Sequence, residues 1–102
     1  AGLQLSAVVV ALGGWRLAPD LLDTGADDWQ RILDTHLTSH LNAARAYAPL
    51  IADRPDATYI AINGAASVIP FGDAGGISVT GAAQRMLIDV LRVGRLADRV
   101  LR

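Results

Sequence analysis

His36 and His40 are the side chains best suited to proton chemistry near neutral pH, and they stand four residues apart. Imidazole changes charge between about pH 5 and 8, and that spacing on a helix can also present two nitrogens to a metal. No nearby carboxylate shares their face convincingly and the rest of a metal motif is absent. We therefore expect two histidines lining a pocket or an interface, and no metal site. Ser67 follows a short apolar run and could donate to a substrate carbonyl; a hydroxyl satisfying the backbone of its own turn is the plainer reading. Gly13-Gly14 closes another apolar run, either as a turn or as a place where backbone passes close to a ligand. Gly72-Asp73-Ala74-Gly75-Gly76 does not fit the GxGxxG phosphate turn and does not directly follow a strand.

The missing residue types narrow the chemistry further. All nine basic residues are Arg, all ten acidic residues are Asp, and there is no cysteine. Without Lys there is no Schiff base and no ammonium to depress a neighbouring pKa. Without Cys, thiolate catalysis, thiolate metal sites and disulfides are all excluded. A net charge of −1 argues against nucleic-acid binding by field alone. The Arg85, Arg92, Arg95, Arg99 and Arg102 series, interleaved with Asp89 and Asp98, reads as a solvated face. No apolar run approaches the roughly 18–20 residues that span a bilayer, and no basic region precedes an apolar run at the start. A cytoplasmic protein of one domain, residues 1–102, is the expectation.

The elements that must position these residues follow from periodicity. Leu5–Leu12 is apolar without alternation, as in a parallel strand buried on both faces. Trp15–Asp23 reads as a loop, its Trp a packing anchor or lid. Thr24-Gly25-Ala26-Asp27 has capping-box spacing with Asp in place of Glu. The helix that follows aligns Trp29, Ile32, Leu33, His36, Leu37, His40, Leu41 and Ala44 in one stripe, with a kink or stop expected at Pro49. Arg54-Pro55-Asp56 breaks the chain before a second strand, Ala57–Asn63. From Ser78 to about Val93 helical spacing resumes, with Ala82, Ala83, Met86, Leu87, Val90 and Leu91 on one face. Ser78 and Thr80 read as helix-start residues, and Gly75, Gly76, Gly81 and Ala82 as sites of close helix–helix packing. The sum is an α/β class chain: a partial Rossmann-like, doubly wound βαβα unit with parallel strands. Crossovers of one hand put both helices on one side of the sheet, leaving the other face uncovered. Such a unit should pair with other chains or belong to a longer polypeptide.

In order and spacing, these segments resemble the middle of a short-chain dehydrogenase/reductase (SDR). Ala7-Val8-Val9-Val10-Ala11-Leu12-Gly13-Gly14 is similar to that family's fourth strand and its Asn-Asn-Ala-Gly ending. Trp29–His40 resembles the helix that opens with Trp and carries the catalytic Asn, and Leu41–Leu50 continues as that helix does. Ile60–Ser67 followed by Ile77-Ser78-Val79-Thr80-Gly81-Ala82-Ala83 resembles the Ser-bearing strand end and the Tyr-x-x-x-Lys helix. The family reduces carbonyls with NAD(P)H. A Tyr serves as acid/base, a Lys lowers its pKa and holds the ribose, a Ser polarises the carbonyl, and an Asn supports a proton relay. Carried over, these positions are Ile77, Gly81, Gly64 and His36, so the resemblance implies a fold without its catalytic tetrad. The candidate catalytic residues that remain are His36, which could inherit a relay role, and Ser67. By the same analogy Gly13 and Gly14 are the candidate cofactor-binding residues, near an adenosine. NAD(P) is implied by resemblance alone, because the family's phosphate-binding half lies upstream of its fourth strand and is absent from 1–102.

The resulting expectation is an SDR-related, non-catalytic binding or oligomerisation pseudoenzyme. It would self-associate through helices of about 25–48 and 78–93, which often form the family's subunit interface. The alternative is a portion of a divergent NAD(P)-dependent oxidoreductase whose cofactor-binding half lies outside this sequence.

Overall fold

The computed structural model describes residues 5–14 and 20–94. The Trp15 reading and the Arg95–Arg102 segment lie outside the described residues. Two short strands, β1 (Ala7–Val10) and β2 (Thr58–Ala61), pair in parallel, with Val8 opposite Tyr59 and Val10 opposite Ala61. Both are shorter than the expected segments Leu5–Leu12 and Ala57–Asn63. Pairing is carried past their ends by the bonds Thr58 N–H to Ser6 O (3.1 Å) and Ile62 N–H to Val10 O (2.9 Å).

Between the strands the chain is helical from Ala26 to Ile51, in three consecutive parts. Helix α1 (Ala26–Leu33) leads into a π-turn (Asp34–Thr38) and on into helix α2 (Ser39–Ile51). Helix α3 (Gly75–Val93) follows β2, after two 3-10 turns at Ala65–Ser67 and Gly72–Ala74. The βαβα order and parallel pairing agree with the sequence reading.

Several local expectations are corrected. The capping box does not form: Gly25 is the N-cap of α1 without a side-chain bond, and Thr24 Oγ1 instead donates to Asp20 O (3.3 Å). Asp27 and Asp28 do occupy the first turn, where the exposed backbone N–H groups favour negative charge. Pro49 sits inside α2, which ends two residues later at Ile51. Helix α3 starts at Gly75, three residues before Ser78. Ser78 is consequently not a cap: its hydroxyl accepts from Phe71 N–H (3.2 Å) and donates to Ile69 O (3.3 Å), tying the preceding loop to the helix. Thr80 Oγ1 donates to Gly76 O (2.7 Å), one turn back in the same helix.

The core lies on one face of the sheet. Val10 and Tyr59 from the strands meet Ala44, Ala48 and Ile51 from α2, with Ile88 and Leu91 of α3 packed against them. Burying side chains the size of Ile51 stabilises by about 1.5–3 kcal/mol each. The opposite face is not covered by any described residue: Val9, Ile60 and Ile62 are 58%, 43% and 54% exposed. The strands are therefore buried on one face only, as two helices on one side require.

The outward face of α3 differs from the face expected to be core. Thr80, Gln84, Ile88 and Leu91 turn inward, whereas Ala82, Met86 and Val90 are exposed, as are Val79 and Val93. Helices α1 and α3 meet at Gly76, where a Cβ would stand 2.9 Å from Ile32 Cδ1. Only Gly76 makes the helix–helix approach expected of the small residues: Gly75 meets Leu21, Gly81 meets the Ser67 turn, and Ala82 is exposed.

Candidate functional site

Four segments converge on a cavity of about 380 Å³ at one end of the sheet. Leu12, Gly13 and Gly14 enter from the end of β1, and His36 from the π-turn. The stretch Ile62–Ala66 comes from the end of β2, with Phe71 beyond it, and Ile77, Gly81 and Gln84 line the α3 side. Among the described residues, His36 is the cavity's sole titratable side chain; the lining is otherwise apolar, with the amides of Asn63 and Gln84.

Each polar group is held by its own local chemistry. Asn63 bridges two elements: its Nδ2 donates to Gly81 O (2.9 Å) and its Oδ1 accepts from Gly64 N–H (2.8 Å). Gln84 Nε2 donates to His36 O across the buried contact between α3 and the π-turn. Gly13 has φ of +94°, a left-handed conformation that side chains disfavour, and a Cβ there would collide with the His36 ring. The glycine is thus required twice, by backbone and by neighbour.

His40, one turn beyond His36, is also buried; its Nε2 lies 3.4 Å from Leu12 O. Burial lowers its pKa below the ordinary imidazole value, and the carbonyl contact opposes this only in part. The two histidines therefore line the core side of one helix, His36 at the cavity and His40 at the strand end. No group of three or more potential metal ligands occurs among the described residues. Ser67 is buried, but its hydroxyl donates to Gly64 O (2.7 Å) and it does not line the cavity. Tyr59 is buried beneath α2, which raises its phenol pKa, and it too stands away from the cavity.

No protein-family model and no curated protein sequence matches the chain. Solved structures do match it. A short-chain oxidoreductase from Pseudomonas aeruginosa PAO1 with an atypical catalytic centre, seen with NADPH bound, superposes with a TM-score of 0.82 at 21% identity. The match takes in 93% of this chain and 37% of that one. A short-chain dehydrogenase/reductase from Vibrio parahaemolyticus gives a TM-score of 0.80 at 20% identity, over 96% of this chain and 46% of that one. A 7α-hydroxysteroid dehydrogenase complexed with NADH and 7-oxo glycochenodeoxycholic acid gives 0.80 at 17%, over 97% and 38%. The fold is a partial SDR fold. The chain spans 37–46% of the length of these three structures.

The SDR likeness gives meaning to where the carried-over positions fall. Gly64, Ile77, Gly81 and His36 all line the one cavity, as do Gly13 and Gly14. A side chain at Gly64 would meet nothing within 4 Å. Gly81 is different: a Cβ there would lie 3.0 Å from Ser67 Cβ and 3.1 Å from Ser67 Cα. Gln84 was not singled out from the sequence. Its signal is there: a Gln four residues after Thr80 and four before Ile88, on the line that packs inward.

Proposed function

We propose that this chain supplies the ligand cleft of an SDR-like protein that binds without running hydride exchange, and that it self-associates through α1–α2 and α3. The observation that carries the reading is the cavity wall at Ile77 and Gly81. On the positions carried over from the SDR resemblance, the proton donor's place falls to a hydrocarbon, Ile77, and the ammonium's place to Gly81, which has no side chain. Ser67 crowds the space a side chain at 81 would need, its Cβ 3.0 Å and its Cα 3.1 Å from a Cβ placed there. At Gly13 the room beside the backbone is taken by the His36 ring, whereas Gly14 has open space around it. The cavity suits a small, largely apolar ligand with one or two hydrogen-bonding groups. The exposed line Val79, Met86, Val90 and Val93 on α3, with Tyr47 and Leu50 on α2, supports self-association. No helix among the described residues is long and apolar enough to cross a membrane, and a cysteine-free chain fits a cytoplasmic setting.

The test is carbonyl reduction by the unmodified protein, with NADH and with NADPH, alongside nucleotide titration by fluorescence. We expect no turnover. The triple variant G64S/I77Y/G81K should gain none unless S67G is added to open the corner. Turnover by the unmodified protein would overturn the reading.

A second reading is a portion of a divergent NAD(P)-dependent oxidoreductase. It is favoured by His36 on the cavity wall and by the NADPH-bound Pseudomonas structure with its atypical catalytic centre. There His36 would serve as the titratable group, and H36A would abolish the turnover that the first reading says is absent.

A further inference from the structure

Three departures from regular structure meet at His36. The first is the π-turn itself, in which Ser39 N–H reaches back five residues to Asp34 O. Wide turns of this kind are rare within α-helices and concentrate at functional sites. The shift takes Ser39 N–H away from Thr35 O, and Ser39 Oγ donates to that carbonyl instead (2.6 Å).

The second departure is Gln84, buried on the inward line of α3. An amide left unpaired there would cost about 1–3 kcal/mol. It is paired with the next carbonyl of the π-turn, His36 O. The third is Gly13, whose left-handed backbone and missing Cβ leave the space that the His36 ring fills.

We infer that Gln84 is the positioning residue of the cavity: by holding His36 O it fixes the π-turn, and the π-turn aims the His36 ring across Gly13 along the cavity wall. Residues 48 apart in sequence are coupled by that one bond. Without the amide, the segment can recover α-helical bonding by returning Ser39 N–H to Thr35 O. That change rotates residue 36 relative to α3 and moves its ring off Gly13. Consequences for a ligand rest on the binding reading above; the geometry of His36 itself does not.

The experiment is NMR on the wild-type protein and on Q84M, which keeps length and bulk but removes the donor. In wild type, a coupling across the hydrogen bond should link Gln84 Nε2 to the His36 carbonyl carbon, and another should link Ser39 N to the Asp34 carbonyl carbon. In Q84M the His36 ring signals should shift and amide exchange across residues 34–41 should quicken, while the His40 ring signals stay in place. His40 is the internal control, since it lies on the same buried line one turn on. Ring signals of His36 that stay put, or that move together with those of His40, overturn the proposal. Should Q84M fail to fold, the wild-type couplings decide: their absence beside normal backbone couplings in α2 overturns it. A cavity that takes up no ligand leaves these readouts unchanged, so the two readings fail separately.

Discussion

Replacing Gly81 with Ala tests the proposed loss of the lysine corner most directly. Position 81 lies in the interior of α3, where Gly→Ala ordinarily stabilises by about 1 kcal/mol. The structure opposes that gain. The new methyl would stand 3.0 Å from Ser67 Cβ, 3.1 Å from Ser67 Cα and 3.4 Å from Asn63 Oδ1. The Ser67 turn cannot easily withdraw, because Ser67 N–H (3.1 Å) and Ser67 Oγ (2.7 Å) both bond to Gly64 O. Overpacking of this kind costs about 1–3 kcal/mol. The net expectation for G81A is destabilisation by up to about 2 kcal/mol rather than the helix-propensity gain.

The partner variant isolates the cause. S67G removes the nearest atom and the hydroxyl anchor, so G81A made in that background should recover about 1 kcal/mol or more relative to G81A alone. Urea unfolding of the four proteins gives this double-mutant cycle, with G64A as a control at a site whose Cβ would touch nothing within 4 Å. If G81A stabilises by about 1 kcal/mol in both backgrounds, the corner is open. A lysine could then be accommodated, and the steric argument against catalysis fails.

Other predictions follow from single contacts. G13A combines a positive φ with a collision against His36, so it should lower stability by about 2–4 kcal/mol, read as a drop in Tm. His40 has a folded-state pKa below its unfolded value of about 6.5. Its stabilising contribution is therefore fully present above that value and is lost as pH falls from there through the lowered folded value. Tm measured from pH 8 to 5 should fall across that window, and less so in H40Q. M86E places a charge on a side chain that is 61% exposed, on the outward line of α3. Sedimentation should show reduced self-association, and Tm should depend less on protein concentration; unchanged association would remove α3 from the interface.

The parts of the fold that were legible in the sequence are those where apolar periodicity decides. Unbroken apolar runs marked β1 and β2, although each is packed on one face and not on both as expected, and the stripe through Ile32, His36, His40 and Ala44 foretold which side of the helix would be buried. The π-turn left a fainter trace. At about 100° per residue, each four-residue step overshoots an α-helical turn by about 40°. A buried line at Ile32, His36, His40, Ala44 and Ala48, in unbroken fours, drifts off one face unless a wider turn resets it. The inward face of α3 was misread for the opposite reason. Its most apolar line, including Met86 and Val90, points outward, while Gly76, Thr80 and Gln84 point in. Hydrophobicity identified a face that stays exposed, and the buried side is set by small residues and by amides with hydrogen bonds to make. The cavity was harder still, since Gly13 and Gly81 act through the absence of a Cβ.

That division bears on function. A site for proton and hydride chemistry needs ionisable groups held at fixed angles, and the cavity offers one imidazole among glycines, hydrocarbons and two amides. The amides are already engaged: Asn63 spans Gly81 and Gly64, and Gln84 holds the His36 carbonyl. These bonds tie together the segments that line the cavity. The apolar residues outside the core stand exposed on the sheet face at Val9, Ile60 and Ile62 and along α3 from Val79 to Val93. Shape is specified here with close contacts at Gly13, Gly76 and Gly81, while the groups that would move a proton are reduced to His36. On the proposed reading, a cleft built that way holds a ligand without moving a proton.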